Sequence, residues 1–218
     1  MLIAIDGPSG AGKGTVSRAV AEALGCRHID TGAMYRAVAW LAIEHGIGLD
    51  AEEEIAAMAE AARFDLSDGR VRINDHDVTR AIRTGEMDQA AARVARLPRV
   101  RRSLLERQRA FAREGSVVME GRDIGTVVLP HADLKIFLDA TPEERARRRS
   151  SDAAHASRGS DVATVAQALL TRDESDRTRA ASPLARAADA IYIDTTGLSI
   201  AEVVSRVLEA VDARRRAR

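Results

Sequence analysis

Nine consecutive residues, Gly7, Pro8, Ser9, Gly10, Ala11, Gly12, Lys13, Gly14 and Thr15, constrain this chain more than any other segment. They follow the apolar run Leu2–Ile5 and lead into Val16, Val20, Ala23 and Leu24, spaced along a helical face. Strand, glycine-rich turn and helix in that order make a phosphate-binding loop. The glycines let consecutive backbone N–H groups converge at a helix N-terminus, where the dipole also favours an anion. Lys13 adds a cation able to reach the β and γ phosphates of a nucleoside triphosphate. Its position is telling because the chain has two lysines, Lys13 and Lys135, against 31 arginines. Gly14 separates Lys13 from Thr15, so Thr15 is the candidate hydroxyl for Mg²⁺, with water sharing the task. A chance glycine-rich turn is the competing reading, and the register of strand, loop, lysine and helix argues against it.

Such a loop belongs to an α/β sheet, and the rest of the chain supplies one. Leu2–Ile5, Val117–Met119, Leu134–Leu138 and Ala190–Ile193 are short apolar runs separated by helical patterns, with a fifth strand through Arg27–Ile29. The expectation is a doubly wound parallel sheet. Thr141 as N-cap, Pro142 at the first helical position and Glu144 three residues after the cap predict a helix start. Ser199 and Glu202 predict another, followed by an apolar stripe from Ile200 to Val211. Residues 63–100 break the alternation. Val71–Ile73 and His76–Val78 predict a hairpin around Asn74 and Asp75, and helices follow over 85–96 and 99–114 with Pro98 between them. The segment reads as an insertion, giving a core of 1–62 and 101–218. Residues 150–160, small and polar, read as a mobile connection.

Composition narrows the function. The chain is 45% hydrophobic with six aromatic residues, so its core is built from Ala, Val, Leu and Ile. Basic and acidic residues balance at 33 each, which gives no reason to expect a nucleic acid or membrane partner. Cys26, the lone cysteine, excludes an intrachain disulfide and a thiolate cluster and reads as a small apolar residue at a helix end. The five histidines show no metal spacing. No apolar run approaches 18 residues, the first strand is too short for a signal sequence, and the cytoplasm is the expected compartment.

Phosphoryl transfer needs cations around the migrating group and close positioning of donor and acceptor. Four further segments can supply them: Asp30–Arg36 at a strand-to-helix turn, Glu120–Gly125 after a buried strand, Glu143–Arg149, and Arg172–Arg179. Each has a plainer reading. Arg145–Arg149 also suit a solvated helix face, Arg172–Arg179 a surface ion-pair network, Asp123 a turn cap, and Asp30 to Gly32 a helix cap.

Taken together, IDGPSGAGKGT, DTGAMYRAVA, AIRT at 81–84, EGRDIGTVV, FLDATPEERARRR and RDESDRTRAASPL resemble bacterial cytidylate kinases from Ile3 to the last helix. The resemblance implies a P-loop kinase core with a five-stranded parallel sheet, a short lid at about 150–160, and a small α+β monophosphate-binding domain inserted at 63–100. It implies ATP with Mg²⁺ as donor and CMP and dCMP as acceptors. ATP would lie on Gly7–Thr15 with Arg145, and Lys13, Arg149 and Arg122 would carry the catalysis. Thr31, Tyr35, Arg36 and Arg122 would hold the acceptor phosphate. Arg101, Asp123 and Arg179 would read cytosine, Arg172 and Asp176 the ribose, and Thr15 with Glu120 the metal. Glu120 stands where many relatives have Asp, and Ala92 where some have Ser. Kinases acting on UMP, AMP, shikimate or dephospho-CoA remain the nearest alternatives, and a regulatory nucleotide switch a remote one. The single cysteine excludes a zinc-lid adenylate kinase. A monomer is expected, since no heptad pattern is visible.

Overall fold

The computed structural model describes residues 1–67, 69–151 and 162–217. Its strands are β1 (Leu2–Asp6), β2 (Arg27–Asp30), β3 (Phe64–Asp65), β4 (Arg72–Ile73), β5 (His76–Asp77), β6 (Val117–Gly121), β7 (Leu134–Asp139) and β8 (Ile191–Asp194). Its helices are α1 (Lys13–Leu24), α2 (Thr31–Glu44), α3 (Glu52–Ala61), α4 (Gly85–Val94), α5 (Pro98–Arg113), α6 (Pro142–Ser151), α7 (Val162–Thr178) and α8 (Ile200–Arg216). Five strands pair in parallel in the order β2-β6-β1-β7-β8. The expected sheet is present, and each strand carries a carboxylate at or next to its carboxyl end: Asp6, Asp30, Glu120, Asp139 and Asp194. Backbone pairing continues irrespective of side chain, so the ladder carries these carboxylates to the carboxyl edge. There, between β1 and its neighbours on either side, open α/β sheets bind ligands.

Two apolar layers cover this sheet. Ile3, Ile5, Val118, Ile136 and Leu138 meet Val16 and Val20 of α1 and Val203, Val207 and Val211 of α8. On the other face Ile29 and Met119 pack with Ile124, Val128 and Ala112. Burial of such Val, Leu and Ile side chains stabilises by roughly 1.5–3 kcal/mol each. The largest fully buried side chains are Ile, Leu and Met, as the scarcity of aromatics requires.

Helix ends follow the predicted chemistry with one exception. Ser199 and Glu202 close a complete capping box on α8. Gly25, at φ 62°, ends α1, and the Cys26 N–H reaches back to the Ala21 carbonyl at 2.8 Å. At α6 only half of the box forms. Thr141 Oγ1 accepts from the Glu144 N–H at 3.3 Å, while the Glu144 carboxylate is taken by Arg147 and Arg148, each at 2.8 Å. The arginines out-compete a backbone N–H because they bring charge as well as donors.

The 63–100 segment forms the expected hairpin, extended by β3 into the three-stranded sheet β3-β4-β5. The two expected helices are α4 and α5, with Pro98 between them at the first position of α5. The segment does not close a core of its own: Ile73, Val78, Ile82 and Val94 pack with Met34, Val38 and Leu41 of α2, Ile55 of α3, and Val100 and Leu104 of α5. Of the expected connection at 150–160, only Ser150 and Ser151 fall within the described residues. No helix among them is long and apolar enough to cross a membrane.

Candidate active site

The glycine-rich loop turns from β1 into α1 against the end of β7. A Cβ at Gly7 (φ 150°) would lie 2.0 Å from the Leu138 carbonyl oxygen, so only glycine passes there. Lys13 opens α1 and folds over its own loop, its Nζ donating to the Pro8 carbonyl at 2.7 Å. Burial, with the like charge of Arg122 behind it, brings its pKa from 10.5 to about 7. Behind the loop, Arg145 Nη1 donates to the Ser9 carbonyl and Nε to the Ala140 carbonyl, both at 3.1 Å. Its guanidinium also pairs with buried Asp173, whose Oδ1 accepts from the Ser9 N–H at 3.4 Å. Arg145, expected on ATP, is therefore buried in the loop's back wall and does not line the cleft. Thr195 Oγ1 lies 3.4 Å from the Ala11 carbonyl oxygen and accepts from Arg148 Nη1 at 2.9 Å.

Asp6, at the end of β1, accepts from the N–H groups of Ile124 and Gly125 at 2.8 and 2.7 Å. Burial outweighs those bonds and pushes its pKa up to about 6. The contact pins the phosphate loop's strand to the turn after β6, which carries Arg122 and Asp123.

In front of the loop lies a cleft of about 970 Å³, lined by nine basic and five acidic side chains on a chain of zero net charge. Lys13 and its loop form one wall. Arg36, Glu120, Arg122, Arg149 and Arg172 come from α2, β6 and its turn, α6 and α7. Arg36 Nη2 is oriented by Asp30 Oδ2 at 2.8 Å, and Arg122 Nε by Asp176 Oδ2 at 2.9 Å. Burial and then the charge of Arg122 lower the Arg172 pKa to about 10. Among the described residues the buried Nε atoms of Arg36 and Arg172 find no hydrogen-bond partner. These are donors that a bound oxyanion would satisfy.

A second cavity, about 230 Å³, is lined by Tyr35, Arg101, Gln108 and Asp123 among others. Asp123 accepts from Arg101 Nη2 at 2.5 Å and lies 3.6 Å from Arg179 Nη2. The Arg101 guanidinium sits 5.4 Å from the Tyr35 ring centroid. Arg179 Nη1 also donates to Asp176 Oδ1 at 3.4 Å. Burial disfavours the Asp176 charge, but Arg122, then Arg172 and Arg179, outweigh it and hold the carboxyl below its ordinary range.

Among the described residues no group of three or more His, Cys, Asp or Glu side chains could cage a metal. Magnesium asks for less. It binds through one or two protein oxygens, substrate phosphates and water. Glu120 fits that demand, since a Cβ at Gly14 would lie 3.4 Å from its Oε1, beside the phosphate loop and exposed Thr15.

The cytidylate kinase sequence profile matches residues 3–213. The chain belongs to the cytidylate kinase family. It is 51% identical over 211 residues to a cytidylate kinase of Desulfitobacterium hafniense, covering 95% of this chain and 91% of that one. A cytidylate kinase of Solibacter usitatus is 47% identical over 220 residues, covering 98% and 93%. An uncharacterized protein from Eubacterium ventriosum shares the fold at a TM-score of 0.54 with 12% identity, covering 97% and 98%.

In this member of the family, Lys13, Arg36, Glu120, Arg122, Arg149 and Arg172 share the larger cavity, and Tyr35, Arg101 and Asp123 the smaller. Arg179 and Asp176 stand between the two sets through their ion pairs. Thr31 lines neither cavity. Its hydroxyl donates to the Glu120 carbonyl at 2.7 Å, tying α2 to β6. Sequence reasoning passed over Asp6, Asp88, Asp173 and His28. His28 Nε2 lies 3.0 Å from Glu120 Oε1, although no chemistry was assigned to the histidines. One signal was available: His28 and Asp30 alternate on a strand that pairs in parallel with Val118 and Glu120. Asp88 lies in the first turn of α4, where acidic residues commonly serve the helix dipole, so nothing local in the sequence sets it apart.

Proposed function

We infer that this protein transfers the γ-phosphoryl group of ATP to CMP and dCMP, forming CDP and dCDP. The observation that carries the reading is the Asp123 carboxylate, buried in the smaller cavity between Arg101 and Arg179, next in sequence to Arg122 in the arginine-lined cleft. A carboxylate accepts from the exocyclic amine of cytosine. It meets only an acceptor at the corresponding position of uracil. The arginines on either side fix its direction.

Chemically the reaction needs little from the protein beyond placement and charge. An oxygen of the acceptor phosphate, already ionised near neutral pH, forms a bond to the γ-phosphorus as the bond to the β–γ bridging oxygen breaks, and ADP leaves. No general base is required. Lys13 and Arg149 neutralise charge gathering on the migrating group, and Arg36 and Arg122 hold the acceptor phosphate in line. Arg145 acts one step removed, fixing the Ser9 peptide so that the loop's N–H groups stay convergent. Arg172 and Asp176 serve the ribose. Thr15 and Glu120 would hold Mg²⁺, which would supply further charge neutralisation. His28 orients the Glu120 carboxylate. The 63–100 segment with α2, α3 and α5 carries the acceptor, and the protein works as a cytoplasmic monomer without nucleic acid or membrane partners.

The test is an ATP-coupled assay across CMP, dCMP, UMP, AMP and GMP. CMP and dCMP should lead in kcat/KM by at least tenfold over the rest. A lead for any other acceptor, or ATP hydrolysis with no phosphorylated product, would overturn the reading.

A further inference from the structure

One buried carboxylate sits among the cleft's arginines without being one of the expected site residues. Asp88, on the first turn of α4, is 6% exposed and lines the cleft. Its Oδ1 lies 3.4 Å from Arg172 Nη1 and 3.6 Å from Arg36 Nη1, and its Oδ2 is in contact with Arg149 Nη2. The three arginines come from α7, α2 and α6. A single side chain thus gathers cations from three separate helices, and α4 itself belongs to the core shared with the small sheet.

Three partly buried guanidinium groups repel one another, and each has lost part of its hydration. An anion at their focus removes both penalties. A substrate phosphate has the same chemistry as the carboxylate: negative oxygens that accept from several arginine N–H groups at once. We propose that Asp88 is a built-in anion that holds Arg36, Arg149 and Arg172 together before substrate arrives and competes with substrate phosphate for them, so that it sets the affinity for the acceptor. This rests on the reading of Arg36 as an acceptor-phosphate ligand and adds a residue that weakens substrate binding in exchange for an assembled site. Asp88 touches cations and no reacting atom, which makes it a positioning residue.

Asp88→Asn keeps the shape and removes the charge. In the full-length protein it should lower KM for CMP, and Ki for inorganic sulfate competing with CMP, by roughly tenfold each, equivalent to about 1.4 kcal/mol. It should also lower the Tm of the ligand-free protein, because the arginines lose their counter-charge, and sulfate should restore that Tm by more than it raises the wild-type value. Asp88→Ser carries the same expectation and provides a second neutral protein should the first fail to fold. Asp88→Glu keeps the counter-charge and should show no fall in KM, and Glu86→Gln, exposed on the same turn, should leave KM and Ki at wild-type values. An unchanged or raised KM and Ki in the neutral variants, or an equal fall in the Glu variant, overturns the proposal. Arg36→Ala separates the two levels. If it leaves KM for CMP unaltered, the phosphate reading itself fails; if it raises KM while Asp88→Asn lowers neither constant, only the role of Asp88 fails.

Discussion

Lys13 offers a prediction that can be worked through in numbers. In the ligand-free protein its pKa is lowered from 10.5 to about 7, chiefly by burial and then by Arg122. The neutral amine is favoured there, and the charged form fades as pH rises through about 7. Bound ATP reverses the balance, because the phosphate oxygens favour the cation and carry the pKa back toward 10.5. Binding above pH 7 therefore takes up a proton. At pH 8 about one tenth of the free protein carries the charge, so uptake approaches about 0.9 proton; at pH 6 it falls to about 0.1. ATP affinity should drop about tenfold per pH unit above 7, and the recovered interaction is worth at most about 5 kcal/mol. Among the described residues the other cations lining the cleft are arginines, and even Arg172 titrates near 10, so none of these mimics the signal. Calorimetric titration of Mg·ATP at pH 8 in buffers of different ionisation enthalpy measures the uptake, with Lys13→Met as reference. Equal uptake by the two proteins refutes the reasoning. In the same variant kcat should fall by roughly 100-fold or more; retention of half the wild-type kcat would remove Lys13 from the chemistry.

Three other perturbations have distinct signatures. Asp123→Ala should raise KM for CMP and dCMP, leave UMP much less affected, and shrink the CMP-to-UMP ratio of kcat/KM by about 1–3 kcal/mol; an unchanged ratio with kcat lost for both acceptors would assign Asp123 to metal or fold. Arg36→Ala and Arg122→Ala should each weaken CMP by about 1.5–3 kcal/mol with little effect on ATP, read as separate KM values; a loss confined to ATP would put them on the wrong side of the cleft. Arg145→Ala leaves Asp173 buried without its cation, and thermal denaturation should show about 3–5 kcal/mol of lost stability; an unchanged Tm with a raised KM for ATP would restore Arg145 to the nucleotide.

The sheet was legible because four of its five strands are short apolar runs separated by helical patterns, as Leu2–Ile5 and the stripe of α8 illustrate. The strand ends were not, since the ladder's extension to Asp6, Asp30 and Glu120 depends on backbone pairing that carries no side-chain signal. Motif residues such as Lys13, Arg36, Arg122 and Asp123 could be found from their context in the chain. Their partners could not. Arg145 and Asp173 lie 28 residues apart and Asp88 and Arg172 farther still, joined only after three helices pack. Arginine abundance also hid the difference between Arg145, buried against a peptide, and its neighbour Arg147, solvated beside Glu144.

The shared packing of α2 with the small sheet has a bearing on how this chain could be recombined. A designer who exchanged residues 63–100 for the matching part of another kinase would cut through the middle of one apolar cluster, leaving Met34, Val38, Leu41 and Ile55 against a foreign partner. The unit that keeps this cluster and its helices whole runs from Thr31 to Arg113. Its upstream edge is the Asp30 cap, so a transplant drawn on those boundaries brings Tyr35, Arg36, Asp88 and Arg101 along and leaves the phosphate loop untouched.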